Sequence, residues 1–238
     1  MVENLQERHA VVTGGARGIG AAVADKLHAL GCKLTLMDIM ENPLNDKCRV
    51  LSGARGVVVD VTDETSVTQG FEQALDEHGA VDILVNCAGI AESAPFAKTD
   101  KAMWDRTLAV NLTGTFLCTR AVLPNMITRD WGRLISVVST AGLIGYAYTP
   151  AYCASKHGVI GLTRSLALEV ARTGLTVNAV CPTFTETELL QRSLQNIVDK
   201  TGCTLEEAAK QLKQVNPQNR FIQPTEIAST VAWLCLPG

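Results

Sequence analysis

The sequence predicts a single α/β domain over residues 1–238, built on a doubly wound parallel sheet with helices on both faces. Short β-branched runs such as HAVVT and RLISVVS alternate with longer segments whose apolar residues recur at helical spacing. Strands that alternate with helices pair in parallel through right-handed crossovers, which produces this layered architecture. A chain of 238 residues can bury the core that one such domain needs.

The first unit is a strand, a glycine-rich turn and a helix. The run HAVVT is followed by the turn GGARGIG and by apolar residues at helical spacing up to Gly31, a Rossmann-type arrangement. Small residues at such a turn let the backbone approach a phosphate, and the helix N-terminus favours its negative charge. The spacing differs from G-x-G-x-x-G, because Val23 occupies the last glycine position. The turn residues assigned to dinucleotide binding are Gly14, Arg17, Gly18, Ile19 and Gly20.

The second strand, KLTLMDI, carries an acidic residue at its end, about 20 residues after the turn. A carboxylate at Asp38 accepts hydrogen bonds from both ribose hydroxyls of NAD and repels the 2′-phosphate of NADP. Arg17 is the opposing signal, because a guanidinium beside the turn can hold that phosphate. We give Asp38 more weight, because its charge would lie directly against the phosphate whereas Arg17 could simply point to solvent, so the predicted cofactor is NAD.

The next units continue the alternation. RGVVVDV predicts a third strand ending at Asp60, ETSVTQGFEQALDEHG a helix, and VDILVNCAG a fourth strand ending at Asn86. From Thr99 one or two long helices are predicted, with Asn111 midway in an apolar stretch. Asparagine is costly to bury unpaired, so Asn111 should bond a definite partner. From the residues alone, a structural brace between helices is as good an interpretation as a functional role.

The chemically distinctive stretch lies between Ser139 and Lys156. Ser139 ends the fifth strand, and sites form at the carboxyl ends of parallel strands. Tyr152 and Lys156 lie four residues apart at the start of a helix, so their side chains leave the same face. A neighbouring cation lowers the pKa of a phenol from about 10, which would let Tyr152 exchange protons near neutral pH. The Y-x-x-x-K pair alone is more often an amphipathic turn, and the upstream serine gives it weight.

The last third of the chain departs from this rhythm. GLTVNAVCP predicts a sixth strand closed by Pro182, and residues 183–220 then form an insertion that we interpret as a substrate lid. One of its helices begins with a capping box of Thr204 and Glu207. A final helix is predicted to be capped near Thr225.

Composition excludes several classes of protein. The net charge of -3 and the scattered basic residues argue against nucleic-acid binding. No apolar run approaches 18 residues and the N-terminus lacks a signal-peptide core, so a cytoplasmic protein without a membrane segment is expected. The eight cysteines form no C-x-x-C pair and are interpreted as reduced and structural. The four histidines lack ligand spacing, so no metal is predicted.

In this order and spacing, the motifs resemble the short-chain dehydrogenase/reductase family in its compact single-domain form. The resemblance runs through almost the whole chain. Beside the glycine turn and Asn111, it rests on Asp60-Val61, Asn86-Cys-Ala-Gly89, Ser139, Tyr152-x-x-x-Lys156 and Asn178-x-x-x-Pro182.

The resemblance implies a role for each of these positions. Tyr152 would be the acid/base, Ser139 would hold the substrate oxygen, and Lys156 would serve both Tyr152 and the nicotinamide ribose. Asn111 would anchor a proton-relay water. The remaining implied cofactor contacts are Asp60 and Val61 at the adenine, Asn86, Ala88 and Gly89 at the adenosine ribose, Thr187 at the carboxamide, and Pro182 and Thr185.

The chain also departs from the family pattern. Thr183 follows Pro182 where the family usually has glycine, and Thr185 stands where a branched apolar residue is common. Family members usually continue past the last helix into a seventh strand, and this sequence ends at Gly238. The resemblance implies assembly as a homodimer or homotetramer.

The implied reaction is NAD-dependent interconversion of a secondary alcohol and a ketone. A 3-hydroxyacyl or 3-oxoacyl thioester is the first choice of substrate, and a small cyclic or aliphatic alcohol is the second. Predicted pocket residues are Ser93, Ala94, Pro95, Leu143, Tyr146, Tyr148 and 185–192, with Arg192, Lys210 and Lys213 as candidate contacts for coenzyme A or a solvated face. A nucleotide-sugar dehydratase or epimerase would need a larger C-terminal region. A catalytically silent NAD-binding sensor or scaffold could lose the catalytic groups, which are all present here.

Overall fold

The computed structural model describes residues 5–237, and within them six parallel strands form one sheet. The strand order is β3-β2-β1-β4-β5-β6, so the chain moves outward in one direction and then in the other from β1. Ligands bind at the carboxyl ends of the strands where such an order reverses. The strands are β1 (His9–Thr13), β2 (Lys33–Asp38), β3 (Arg55–Val58), β4 (Ile83–Asn86), β5 (Gly132–Val137) and β6 (Leu175–Val180).

Helices cover both faces of this sheet, which confirms the predicted fold class. They are α1 (Gly18–Ala29), α2 (Glu41–Val50), α3 (Glu64–His78), α4 (Lys101–Leu108), α5 (Gly114–Thr128), α6 (Pro150–Glu169), α7 (Glu188–Thr201), α8 (Leu205–Gln214) and α9 (Pro224–Cys235). A π-helical turn, Ala109–Thr113, joins α4 to α5. None of the helices in residues 5–237 is long and apolar enough to cross a membrane.

The sheet separates two apolar cores. Because successive strand residues point to opposite faces, Val12 packs with α1 and α9 while its neighbour Val11 packs with α3 and α5. Leu84 and Leu134 belong to the second core, and Ile135 belongs to the first. Burial on both faces explains why the central strands β1, β4 and β5 are rich in apolar residues.

Several elements differ from the sequence prediction, and β5 ends at Val137 rather than at Ser139. β3 ends at Val58, although the backbone N–H of Val59 still donates to Asp38 O at 3.0 Å. Helix α2 was not predicted, and it tolerates Pro43 because that residue lies in the first turn, where backbone N–H groups have no helical partner. Helix α9 begins at Pro224 with Gln223 as its N-cap, because proline favours the first helical position.

The segment after β6 forms a helical hairpin of α7 and α8 with a small core of its own, made of Leu190, Leu194, Ala208 and Phe221. The predicted capping box at the start of α8 is confirmed, with Thr204 and Glu207 each bonding the backbone of the other. An isolated β-bridge between Thr185 and Ile222 ties the two ends of this segment together.

A buried polar cluster lies at the opposite end of the sheet from the strand carboxyl ends. Asp82, which precedes β4, accepts hydrogen bonds from the backbone N–H of His9 at 3.0 Å and from Arg8 Nη1 at 3.2 Å. Arg129, at the end of α5, donates to the same carboxylate at 2.6 Å. Asp82 thereby joins β1, β4 and α5.

Candidate active site

The glycine turn packs tightly against the end of β4. Gly14 has a φ of +64°, and a Cβ atom there would lie 2.9 Å from the backbone of Ala88. A Cβ atom at Gly20 would lie 2.1 Å from the carbonyl oxygen of Gly14. Side chains at these positions would collide with backbone, so the turn remains narrow and its backbone stays accessible to a phosphate.

Asp38 lies beside this turn, at the end of β2. Its carboxylate accepts hydrogen bonds from the backbone N–H groups of Ala16 at 3.2 Å and Met40 at 3.1 Å. These hydrogen bonds hold the carboxylate at the edge of the turn, the position from which it would accept hydrogen bonds from a ribose.

Arg17 is partly exposed and pairs with a residue of α7. Its Nη1 donates to Glu188 Oε2 at 2.5 Å, which forms an ion pair between the glycine turn and the first residue of α7. The two elements are also in contact next to this pair, since a Cβ atom at Gly18 would lie 3.4 Å from the Thr187 methyl group. Opposite charges on the turn and on α7 therefore attract each other where the two elements meet.

Ser139, Tyr152 and Lys156 converge beyond the end of β5. Ser139 Oγ accepts a hydrogen bond from the N–H of Ala141 at 3.1 Å and so begins a short 3₁₀ turn. Tyr152 lies in the first turn of α6, and Lys156 follows one turn later with its Nζ 5.7 Å from the centre of the Tyr152 ring. Lys156 Nζ donates to Val137 O at 3.1 Å, which anchors it to the strand that carries Ser139.

The prediction that Lys156 lowers the pKa of Tyr152 towards neutral pH was wrong. Burial raises the pKa of Tyr152 to about 12, and the neighbouring Ser139 hydroxyl opposes part of that rise. Burial also lowers the pKa of Lys156 to about 8. Removing each group from water penalises its charged form, and this penalty is the largest cause of both shifts.

Asn111 lies in the π-helical turn and is 1% exposed. Its Oδ1 accepts from the N–H of Ile90 at 2.9 Å, and its Nδ2 donates to Ile90 O at 2.9 Å and to Ser155 Oγ at 3.0 Å. The prediction that a buried Asn111 has definite partners is confirmed. A Cβ atom at Gly89 would lie 3.3 Å from Asn111 Oδ1 and 3.7 Å from Lys156 Nζ, so all three residues are neighbours. The proton-relay role of Asn111 stays a prediction.

The remaining predicted cofactor positions lie along the same edge of the sheet. Asn86, at the end of β4, is buried and donates from Nδ2 to Thr119 Oγ1 at 3.1 Å. Asp60 Oδ1 accepts from the N–H of Thr62 at 2.9 Å, and Val61 beside it is buried. Thr187 caps α7 by accepting from the N–H of Leu190 at 3.4 Å.

Several residues near the site were not assigned by the sequence analysis. Thr13 Oγ1 accepts from the N–H groups of Cys87 at 3.1 Å and Ala88 at 3.2 Å, which fixes the end of β4 to the glycine turn. Thr140 follows Ser139 and shares a hydrogen bond of 2.9 Å with the hydroxyl of Tyr146. No spacing rule marks the Thr13 hydroxyl, because its partners Cys87 and Ala88 are distant from it in the sequence.

Some of the predicted pocket residues contact α7 or one another. Ser93 Oγ accepts from Asn196 Nδ2 at 2.7 Å, and Ser93 O accepts from Lys200 Nζ at 3.0 Å. The N–H of Ala94 donates to Tyr148 O at 2.8 Å. Through these contacts α7 reaches across the strand ends to the loop after β4.

Comparison with known proteins indicates the same family as the sequence motifs. The family model for short chain dehydrogenases matches residues 8–198. D-beta-hydroxybutyrate dehydrogenase of Cupriavidus necator is 35% identical over 240 residues, covering 97% of this chain and 91% of the relative. The chain belongs to the short-chain dehydrogenase/reductase family. A second relative, 3-oxoacyl-[acyl-carrier-protein] reductase of Aquifex aeolicus, is 35% identical over 236 residues, covering 97% of this chain and 91% of that protein.

A solved short-chain dehydrogenase/reductase structure superposes closely. A single-substitution variant of actinorhodin polyketide ketoreductase with NADPH has a TM-score of 0.94 and 35% sequence identity, and the alignment covers 97% of this chain and 91% of that one. As a member of the family, the present chain is an oxidoreductase that acts on hydroxyl or keto groups with a nicotinamide cofactor.

The described residues fit a nicotinamide dinucleotide. The narrow glycine turn suits the phosphates, and Asp38 lies beside it at the position of a ribose contact. Two buried side-chain atoms among residues 5–237 lack a hydrogen-bond partner at this edge of the sheet, namely Asn86 Oδ1 and Thr183 Oγ1. A bound molecule at this edge would supply hydrogen-bond partners for these two atoms.

Proposed function

We propose that this chain is an NAD-dependent dehydrogenase/reductase that interconverts a secondary alcohol and a ketone by hydride transfer. The observation that carries the proposal is the convergence of Ser139, Tyr152 and Lys156 beyond β5. When bound, the nicotinamide supplies or accepts the hydride.

The protein side chains transfer the proton and orient the substrate. In the oxidative direction the alcohol oxygen lies between the Ser139 hydroxyl and the Tyr152 phenolate oxygen, and the phenolate accepts the alcohol proton; reduction reverses this transfer. Ser139 donates a hydrogen bond that orients the reacting oxygen. Lys156 brings the positive charge that stabilises the phenolate when Tyr152 has lost its proton. The buried environment excludes water from these groups and strengthens their interaction.

The preference for NAD rests on Asp38. Its carboxylate is fixed by two backbone N–H groups beside the turn, where it would repel a 2′-phosphate. Arg17 is engaged by Glu188 and would have to leave this ion pair to hold a phosphate. The structure of the related ketoreductase contains NADPH, so the cofactor preference of this chain has to be measured.

The test of cofactor choice is a comparison of kcat/KM with NADH and NADPH. We expect NADH to be preferred, and Asp38→Ser to reduce that preference by removing the repulsion. Glu188→Gln is the matched variant, because it frees Arg17 while keeping Asp38. Comparable kcat/KM for the two cofactors in the unmodified protein would overturn the preference for NAD.

The proposed substrate is a 3-hydroxyacyl or 3-oxoacyl thioester. Two relatives act on 3-hydroxybutyrate and on 3-oxoacyl groups of acyl carrier protein, according to their names. The pocket wall combines apolar surface, including an edge contact of 6.1 Å between the Tyr146 and Phe184 rings, with the polar Ser93. The alternative is a small cyclic or aliphatic secondary alcohol, which the same wall could enclose.

A substrate panel distinguishes these candidates. Acyl-CoA thioesters, free 3-hydroxy acids and cyclic alcohols would be offered with NAD, and nicotinamide absorbance followed. We expect the highest kcat/KM with a thioester. Turnover confined to cyclic or aliphatic alcohols would favour the alternative, and NADH binding without turnover of any alcohol would favour a catalytically silent sensor.

We also propose that the chain assembles as a homodimer or homotetramer, in line with the family resemblance. Exposed apolar side chains on α5 and α6, such as Phe116 and Leu168, are consistent with a partner surface. Light scattering of the purified protein at micromolar concentration measures the assembly directly. A monomer at all concentrations would contradict the proposal.

A further inference from the structure

The hydroxyl of Thr183 is buried and has no hydrogen-bond partner among the described residues. Thr183 follows Pro182 just beyond β6, at a position where a glycine would fill the space without a polar group. Burying a hydroxyl without a partner lowers stability. A second role for this hydroxyl is therefore needed to account for its position.

Thr183 lies beside the catalytic cluster. The carbonyl of the preceding Pro182 accepts from the N–H of Thr140, the residue after Ser139, at 2.9 Å. Burial raises the pKa of the Cys181 thiol, and the positive charge of Lys156 opposes that rise, so the Lys156 amine also lies close to this segment.

The backbone around Thr183 is fixed by its neighbours. The Thr185 hydroxyl donates to Thr183 O at 2.9 Å, and Thr185 itself is buried and bridged to Ile222. The segment continues to Thr187, which contacts the glycine turn at Gly18. Residues 183–187 thus run from the catalytic cluster to the phosphate-binding turn. A dinucleotide with its phosphates at the turn and its reacting ring at the cluster covers the same path, with its nicotinamide end near Thr183.

We propose that Thr183 is a further cofactor-binding residue whose hydroxyl forms a hydrogen bond with the nicotinamide end of the dinucleotide. A hydroxyl both donates and accepts, so it can pair with either the oxygen or the NH₂ group of the nicotinamide amide. The bond would supply the partner that the buried hydroxyl lacks within the described part of the chain. This inference rests on the proposed function, because it requires a nicotinamide dinucleotide at the glycine turn.

The test compares NADH with ADP-ribose, which lacks the nicotinamide. Binding of each would be measured by calorimetry for the unmodified protein, Thr183→Val and Thr183→Ser. We expect Thr183→Val to weaken NADH binding about three- to tenfold, the range for one hydrogen bond, and to leave ADP-ribose binding unchanged. Thr183→Ser should remain within about twofold of the unmodified protein, because it keeps the hydroxyl. Thr68→Val, which removes a hydroxyl on α3, is the control and should change neither affinity.

Each contrary result has a distinct meaning. Equal NADH affinity in Thr183→Val and the unmodified protein, or an equal loss for NADH and ADP-ribose, would overturn the inference. A lower melting temperature of Thr183→Val without cofactor would also overturn it, because the hydroxyl would then be serving the fold. Failure of the unmodified protein to bind NADH would instead contradict the proposed function.

Discussion

Tyr152 and Lys156 show how burial governs a reactive pair. The sequence correctly predicted that the two side chains share a helix face close to Ser139. It could not predict the direction of the pKa shift, because desolvation depends on all of the surrounding elements. A phenol with a raised pKa holds its proton more tightly, so the protein alone favours the neutral, protonated state of Tyr152.

Replacing Tyr152 by Phe should lower kcat by several orders of magnitude, because the substrate oxygen would lose its proton donor and acceptor. Binding of NADH should be retained, since the glycine turn and Asp38 are unchanged. Steady-state kinetics and NADH titration together check both statements. Near-normal turnover of the variant would remove Tyr152 from the chemistry.

His9 should make stability depend on pH. It is 1% exposed, its Nδ1 bonds Gly79 O at 2.8 Å, and its Nε2 bonds Thr35 Oγ1 at 2.9 Å. Burial lowers the pKa of His9 to about 4, and the bond to Gly79 opposes part of that shift. The unfolded chain therefore binds the proton more readily, and stability falls as the pH drops from about 6.5 towards 4.

Chemical unfolding at pH 7.5 and pH 5 tests this effect. The contribution of His9 to the loss of unfolding free energy between these conditions is about 2 kcal/mol from the linkage relation. The variant His9→Leu should be less stable at pH 7.5 but should lose less on acidification. Parallel losses in the two proteins would show that other groups cause the pH dependence.

Asn111 lies in a π-helical turn that the helical pattern of the sequence did not predict. The pattern from Thr99 predicted one or two helices with a polar residue midway, and the structure places a π-helical turn there. A single extra residue in a turn leaves almost no signal in hydrophobic periodicity. The turn directs the Asn111 amide to Ile90 and Ser155, which brings α4, α6 and the loop after β4 together.

The hairpin of α7 and α8 is proposed to be a lid, and Ser93 is its contact on the opposite side of the pocket. Asn196→Ala would remove the 2.7 Å bond to Ser93 Oγ and so favour an open hairpin. We expect faster hydrogen exchange in α7 and a several-fold higher KM for the substrate. Gln195→Ala is the matched control, because Gln195 bonds only Asp199 within the same helix among the described contacts. Unchanged exchange in α7 of Asn196→Ala would argue against this contact as the closure.

Most of the fold was predictable because local patterns and global architecture agree. The six strands and most crossover helices were visible as apolar runs and helical spacings, whereas α2 was not assigned because Pro43 and its polar neighbours obscured it. Contacts between distant elements, such as the ion pair of Arg17 with Glu188, could not be predicted from the sequence because they depend on tertiary packing. The convergence of Ser139, Tyr152 and Lys156 was predictable, since Ser139 follows β5 and the other two side chains lie near the start of α6.

Asp82 holds the amino-terminal end of the sheet together and should matter for global stability. Asp82→Ala leaves Arg8, Arg129 and the N–H of His9 without their shared acceptor. We expect the free energy of unfolding to fall by about 3 kcal/mol, as for other ion pairs broken in a largely buried setting. Glu64→Ala, which breaks an exposed pair with Arg120, should cost less than about 1 kcal/mol. Equal losses in urea titrations of both variants would contradict this ranking.

The alternation of Val11 and Val12 between the two cores constrains how β1 can change. Deleting one residue between His9 and Thr13 would turn every later side chain of the strand to the other face. The same deletion would draw the glycine turn back by about 3.3 Å, the rise of one strand residue. The length of this five-residue strand is therefore as restricted as its composition, and insertions are better tolerated in surface loops than here.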